Sequence, residues 1–108
     1  MKLRRISLRS LRRVIRQIVE GVHPLRVVLF GSHAYGTPRR DSDVDLLVVM
    51  QSKKRPVERA VEVSKVLQFY PFPMDILVRT PQEIRCRLRM GDPFYREIIK
   101  RGKILYER

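Results

Sequence analysis

Three aspartates and a glycine-serine pair are the residues of this 108-residue chain whose types and spacing could do chemistry. Asp43 and Asp45 lie one residue apart, where a polar loop runs into the apolar stretch Leu46-Leu47-Val48-Val49. Side chains alternate faces along a strand, so the two carboxylates point the same way, with α-carbons about 6–7 Å apart. Two carboxylates at the mouth of a buried strand are costly unless something positive sits between them. Oxygen ligands so placed suit a hard divalent cation, or a pair of them. Asp41 has the parity to join them, but its place in the loop suits it to capping or orienting. Gly31-Ser32 ends a second apolar run, Val27-Val28-Leu29-Phe30. A glycine and a small hydroxyl residue at a strand-to-helix turn expose backbone N–H groups and a hydroxyl, the groups that hold phosphate oxygens. Alone, that pair is more often an ordinary turn. Asp75, between Met74 and Ile76, repeats the anomaly of a carboxylate inside an apolar strand. It completes a three-carboxylate cluster if its strand lies beside that of Asp43 and Asp45 with matching facing. Otherwise it is an edge residue facing water.

The elements that must position these residues follow from period and punctuation. Leu8, Leu11, Ile15, Ile18 and Val22 recur at helical spacing, with arginines on much of the opposite face. Ser7 is a candidate N-cap, Gly21 a candidate stop and His23, before Pro24, a turn residue. The arginine face is read first as a solubilising surface, and more sharply as one that meets phosphate or an acidic partner. Leu25 to Phe30 reads as a buried strand, and His33-Ala34-Tyr35 as one helical turn ending at Gly36. Pro56 opens a helix whose stripe Val57, Val61, Ser64 and Leu67 runs down to Tyr70. Met74 to Val78 is a third strand. Thr80-Pro81-Gln82-Glu83 is a capping box, opening a helix that turns Ile84 and Leu88 inward and ends at Gly91. Asp92-Pro93 opens another helix, with Phe94, Ile98 and Ile99 apolar, ending at Gly102. Lys103 to Tyr106 reads as a last strand, and Tyr95 and Tyr106 as packing residues.

Length, charge and cysteine use bound the class. The length suits one domain, residues 1–108, with one core. No apolar run approaches the roughly 20 residues of a membrane helix, and arginines interrupt the N-terminal segment where a signal peptide would be apolar. The lone cysteine, Cys86, fits a reducing cytoplasm. The net charge of +13 attracts polyanions, namely nucleic acid, nucleoside triphosphates or an acidic protein. Specific nucleic-acid recognition is disfavoured, because net charge carries no sequence information.

Taken together, Gly31-Ser32-x-Ala34-x-Gly36, Asp41-Ser42-Asp43-Val44-Asp45-Leu46 and the later Asp75 resemble the nucleotidyltransferase domain of the DNA polymerase beta superfamily. The length and the closing Gly102-Lys103-Ile104-Leu105-Tyr106-Glu107 resemble its smallest members. These are the minimal nucleotidyltransferases (MNT), typically antitoxin partners of HEPN-domain toxins. The resemblance implies an α/β (α+β) nucleotidyltransferase fold, a small mixed sheet backed by helices on one side. Gly31 and Ser32 would hold the triphosphate of the incoming nucleotide. Asp43, Asp45 and Asp75 would be the catalytic, Mg²⁺-binding carboxylates, with Asp75 helping to draw the proton from the attacking hydroxyl. His33 and Tyr35 fill positions that are often basic in relatives. The implied function is the antitoxin of a type VII-like HEPN/MNT pair, moving AMP from ATP to a hydroxyl, a tyrosine, of the partner toxin. The alternative is a non-catalytic antitoxin that masks the toxin by direct complex formation. A homo- or hetero-oligomer is left open, and a small-molecule acceptor is disfavoured for want of a further domain.

Overall fold

The structure, a computed structural model, describes residues 7–38, 42–68 and 71–108. Its strands β1 (Arg26–Phe30), β2 (Val44–Val49), β3 (Met74–Arg79) and β4 (Lys103–Glu107) form one mixed sheet in the order β3-β2-β1-β4. β1 runs antiparallel to β2 and β4, whereas β2 and β3 are parallel. Parallel neighbours need a crossover connection, which the helix α3 (Pro56–Val66) supplies.

Helices cover both faces of this sheet, not one side as expected. Val27 and Leu29 of β1, with Val44, Leu46 and Val48 of β2, pack against Val14, Ile15 and Ile18 of α1 (Leu8–Val22) and Val63 of α3. The alternate residues Val28, Phe30, Leu47 and Val49 pack on the other face against Ile84 of α4 (Pro81–Arg89) and Tyr95 and Ile98 of α5 (Pro93–Arg101). The reason lies in β1 and β2 themselves. A strand apolar at consecutive positions has two faces to bury, and each side chain taken fully from water contributes about 1.5–3 kcal/mol.

α1 starts where the Ser7 hydroxyl accepts from the Ser10 N–H at 3.3 Å. It does not stop at Gly21. It ends at His23, which adopts the left-handed conformation (φ 49°) and donates its N–H to the Val19 carbonyl. Gly21 instead permits a close crossing, since a β-carbon there would collide with the side chain of Val66 on α3.

α3 departs from its expected stripe. Val57 and Val61 are exposed, and the inward residues are Arg59 and Val63, with Leu67 just past the helix end. The helix also ends at Val66, short of Tyr70, which lies outside the described residues. Past that end, the Gln68 N–H donates to the Gln17 side-chain oxygen of α1 at 2.8 Å. Arg59 sets the rotation of the helix. Its guanidinium donates to both carboxylate oxygens of Glu83 (2.7 and 3.1 Å) and, through Nε, to the Lys54 carbonyl (2.7 Å). Glu83 in turn closes the capping box with Thr80, accepting from the Thr80 N–H at 2.8 Å. One buried arginine thereby ties the crossover helix to the start of α4.

Arg59→Ala removes donors from a buried acceptor set and costs about 1–3 kcal/mol, less than a fully buried pair because the Glu83 side chain is 38% exposed. The Arg59 hydrogen bonds hold the Glu83 carboxyl below its ordinary value of about 4.5, against the opposing effect of burial. A lowered folded-state value means that the stabilisation is complete above pH 4.5 and disappears as pH falls through the lowered value. The urea midpoint of the wild type therefore exceeds that of Glu83→Gln at pH 7, and the gap narrows on acidification below pH 4.5.

Candidate active site

At the carboxyl end of β1 the chain turns sharply into α2 (Ser32–Tyr35). Gly31 makes the turn with φ 78° and ψ −160°, backbone angles that a side chain resists. Its carbonyl accepts from the Ala34 and Tyr35 N–H groups at 3.0 and 3.1 Å, and the Ser32 carbonyl accepts from Gly36 at 3.0 Å. The leading N–H groups of such a turn have no acceptor within it, so those of Ser32 and His33 are the ones it can offer to an anion. A β-carbon on Gly31 would also run into the Oδ2 atom of Asp45. The glycine is thus required twice, by the backbone and by the carboxylate that packs onto it.

Register brings the acidic residues to this turn. Asp45 stands opposite Phe30 on β1 and opposite Asp75 on β3, so Phe30, Asp45 and Asp75 form a row across one face of the sheet. That face is the one covered by α4 and α5. Asp75 therefore lies beside Asp45 with matching facing, the arrangement on which its place in a cluster depended. Asp43 precedes β2 and is exposed, as is Asp75, while Asp45 is half-buried. Burial raises the Asp45 carboxyl above its ordinary range, and the charges of Asp75 and then Asp43 push it the same way. His33 opposes them. Asp41 lies outside the described residues.

Neighbouring side chains hold the turn in place. The His33 ring nitrogen Nε2 is 3.1 Å from the Ser42 carbonyl, linking α2 to the segment that carries Asp43. Arg101, at the end of α5, donates to the Tyr35 carbonyl at 2.9 Å and lies over the Tyr35 ring at 4.7 Å. Phe94 packs edge-on against Phe30, with ring centroids 5.7 Å apart. Sequence reading missed the Arg101–Tyr35 contact and the clamp by His33. Both join residues far apart in the chain or use a backbone acceptor, and neither leaves a local pattern.

The donors fit Mg²⁺ in kind, being carboxylate oxygens beside a turn suited to phosphate. Among the described residues, no three of His, Cys, Asp and Glu are drawn together as a ready-made metal-binding group. An ion there would be held by carboxylates together with substrate phosphates, the usual mode for Mg²⁺, and not by an all-protein cage.

The profile of a family described as the nucleotidyltransferase domain matches residues 8–106. The fold is similar to a crystal structure from Sulfolobus solfataricus, of a protein whose assignment as a nucleotidyltransferase is itself provisional. The TM-score is 0.66 at 21% identity, over 94% of this chain and 80% of that one. No curated protein shows significant similarity to the chain. Among the described residues, no helix is long and apolar enough to cross a membrane.

Gly31→Ala costs about 1–3 kcal/mol from backbone strain alone, and more from displacing Asp45, whereas Ser32→Ala changes stability by about 0.5 kcal/mol or less. Chemical denaturation of the two variants checks this contrast. Asp45→Asn raises the thermal midpoint at pH 7 without divalent ions, because it removes a charge that burial and then the Asp75 and Asp43 carboxylates disfavour. A raised folded-state value makes the carboxylate a cost at neutral pH. That cost fades as pH falls, so the advantage of the variant shrinks towards the ordinary aspartate value of 3.8.

Proposed function

The chain belongs to the nucleotidyltransferase domain family, and from that premise we propose that it transfers AMP from ATP to a hydroxyl group of a partner protein, with Mg²⁺ as cofactor. The observation that carries this reading is the register of Asp45 with Asp75, set against the Gly31 turn. By resemblance the acceptor is a tyrosine of a HEPN-domain toxin, which the transfer would inactivate.

In this reading the Ser32 and His33 N–H groups and the Ser32 hydroxyl hold triphosphate oxygens at the turn. Asp43, Asp45 and Asp75 would hold Mg²⁺, which when bound offsets phosphate charge and polarises the α-phosphate. The acceptor oxygen attacks the α-phosphorus, a new P–O bond forms, and the bond to the bridging oxygen breaks with release of pyrophosphate. Asp75, exposed at the edge of the carboxylate row, takes the proton of the attacking hydroxyl and passes it to water. The Asp45 carboxylate packs onto Gly31, which sets it beside the turn before any nucleotide arrives, the pre-positioning that limits reorganisation as charge moves.

A second reading is a non-catalytic antitoxin that neutralises its partner by binding. It is favoured by the carboxylates' not being gathered into a closed metal-binding group among the described residues. The two readings separate in one assay. With Mg²⁺ and labelled ATP, the wild-type chain labels a co-purified partner, and Asp43→Asn and Asp75→Asn each reduce the rate by about 100-fold or more. Mass spectrometry of the partner finds one added AMP on a hydroxyl residue. Undiminished labelling by both variants would refute the assigned roles. Tight partner binding with no labelling by any nucleoside triphosphate would leave the binding reading.

A further inference from the structure

α1 buries one face and arms the other. Leu11, Val14, Ile15 and Ile18 enter the core, while Arg9, Arg12, Arg13 and Arg16 are exposed and line one hollow of about 370 Å³. These arginines are spaced i, i+3, i+4 and i+7, so like charges are neighbours along the helix surface, a pattern that destabilises an isolated helix. Arg9 also lies in the first turn of α1, which holds no acidic residue. The helix dipole favours negative side chains there and disfavours positive ones. A surface selected only for solubility would have no reason to accept both costs at one place.

The chemistry of the hollow selects among polyanions. A protein-protein interface draws its energy from a dehydrated apolar or aromatic centre with charge at the rim. The lining here is all arginine, with no aromatic on which an unpaired base could stack. A phosphate backbone needs only cations at repeated spacing. Seven residues of helix rise span about 10.5 Å, the axial length of about three phosphates of one strand at 3.4 Å each. The net charge of +13 would speed the encounter.

We propose that the arginine face of α1 binds the phosphate backbone of duplex nucleic acid without regard to sequence. Binding is by charge and is therefore steeply salt-dependent, each phosphate neutralised adding about 0.9 to the slope of log K against log salt.

The test uses the full chain and a fluorescein-labelled 20-base-pair DNA duplex of mixed sequence, titrated between 50 and 300 mM KCl. Reversal of Arg12, Arg13 and Arg16 to Glu weakens binding on the order of tenfold or more and flattens the salt slope by roughly two to three. The thermal midpoint should stay near that of wild type, since all three are exposed. If the reversal impairs folding, the milder pair Arg12→Gln and Arg16→Gln should still flatten the slope by roughly two. Reversal of Arg85, Arg89 and Arg96 to Glu makes the same change in net charge elsewhere, and its effect should be much smaller. Equal losses from the two reversals would mean that net charge alone acts, and would overturn the assignment. So would unchanged affinity in the α1 variants. Binding of a polyglutamate peptide as tight as that of the duplex would overturn it too, by making an acidic protein the fitting partner.

Discussion

Two aspartates side by side on neighbouring parallel strands are the constraint around which this molecule is built. Like charges at directly opposed positions weaken a sheet, and here burial adds to the cost at Asp45. The pairing survives because the rest of β2 leaves it no alternative. Val44, Leu46, Leu47 and Val48 are essentially inaccessible to water, and a one-residue slip would exchange the residues packed on the two faces and turn the Asp45 carboxylate towards the apolar face covered by α1 and α3. The core energy of β2 thus holds a charge arrangement that would not hold itself together. Asp45 also fills the space that Gly31 leaves by lacking a side chain, so carboxylate and turn are positioned by the same contact.

The surrounding elements stabilise the ends of those strands. Arg59 joins the crossover helix to the capping box that opens α4, fixing the exit of β3 at the end of the strand away from Asp75. Arg101 secures the exit of the α2 turn through both its carbonyl and its ring. His33 links the turn to the segment before β2. None of these contacts involves the three carboxylates directly; the last two hold the turn against which Asp45 packs. Such pre-positioning is what electrostatic catalysis at phosphate requires.

Much of this was legible because the site breaks patterns that the fold otherwise obeys. Asp45 and Asp75 stand out as charges within apolar strands, and the stop at Gly31-Ser32 marks the turn. Register could not be read from either strand alone. It depends on a pairing between residues 30 positions apart and on the length of the intervening crossover. The inward face of α3 was misread because periodicity counts apolar residues, and here the decisive inward residue is Arg59, buried with its charge satisfied. Helices on both faces were implicit in the unbroken apolar runs of β1 and β2, which demand two covers, although family resemblance suggested one. Gly21 looked like a helix stop because glycine commonly is one. Its actual use, a close crossing with Val66, depends on tertiary packing that no local signal encodes.

Site-resolved binding of a paramagnetic ion tests the central arrangement most directly. With Mn²⁺ and a non-hydrolysable ATP analogue added to the ¹⁵N-labelled chain, the amide resonances of Gly31, Ser32, Asp45 and Asp75 should broaden first and together, at sub-stoichiometric metal. Broadening that begins at other acidic positions, such as Glu58 and Glu62 on α3, while Asp45 and Asp75 stay sharp, would contradict a shared cation site beside the turn.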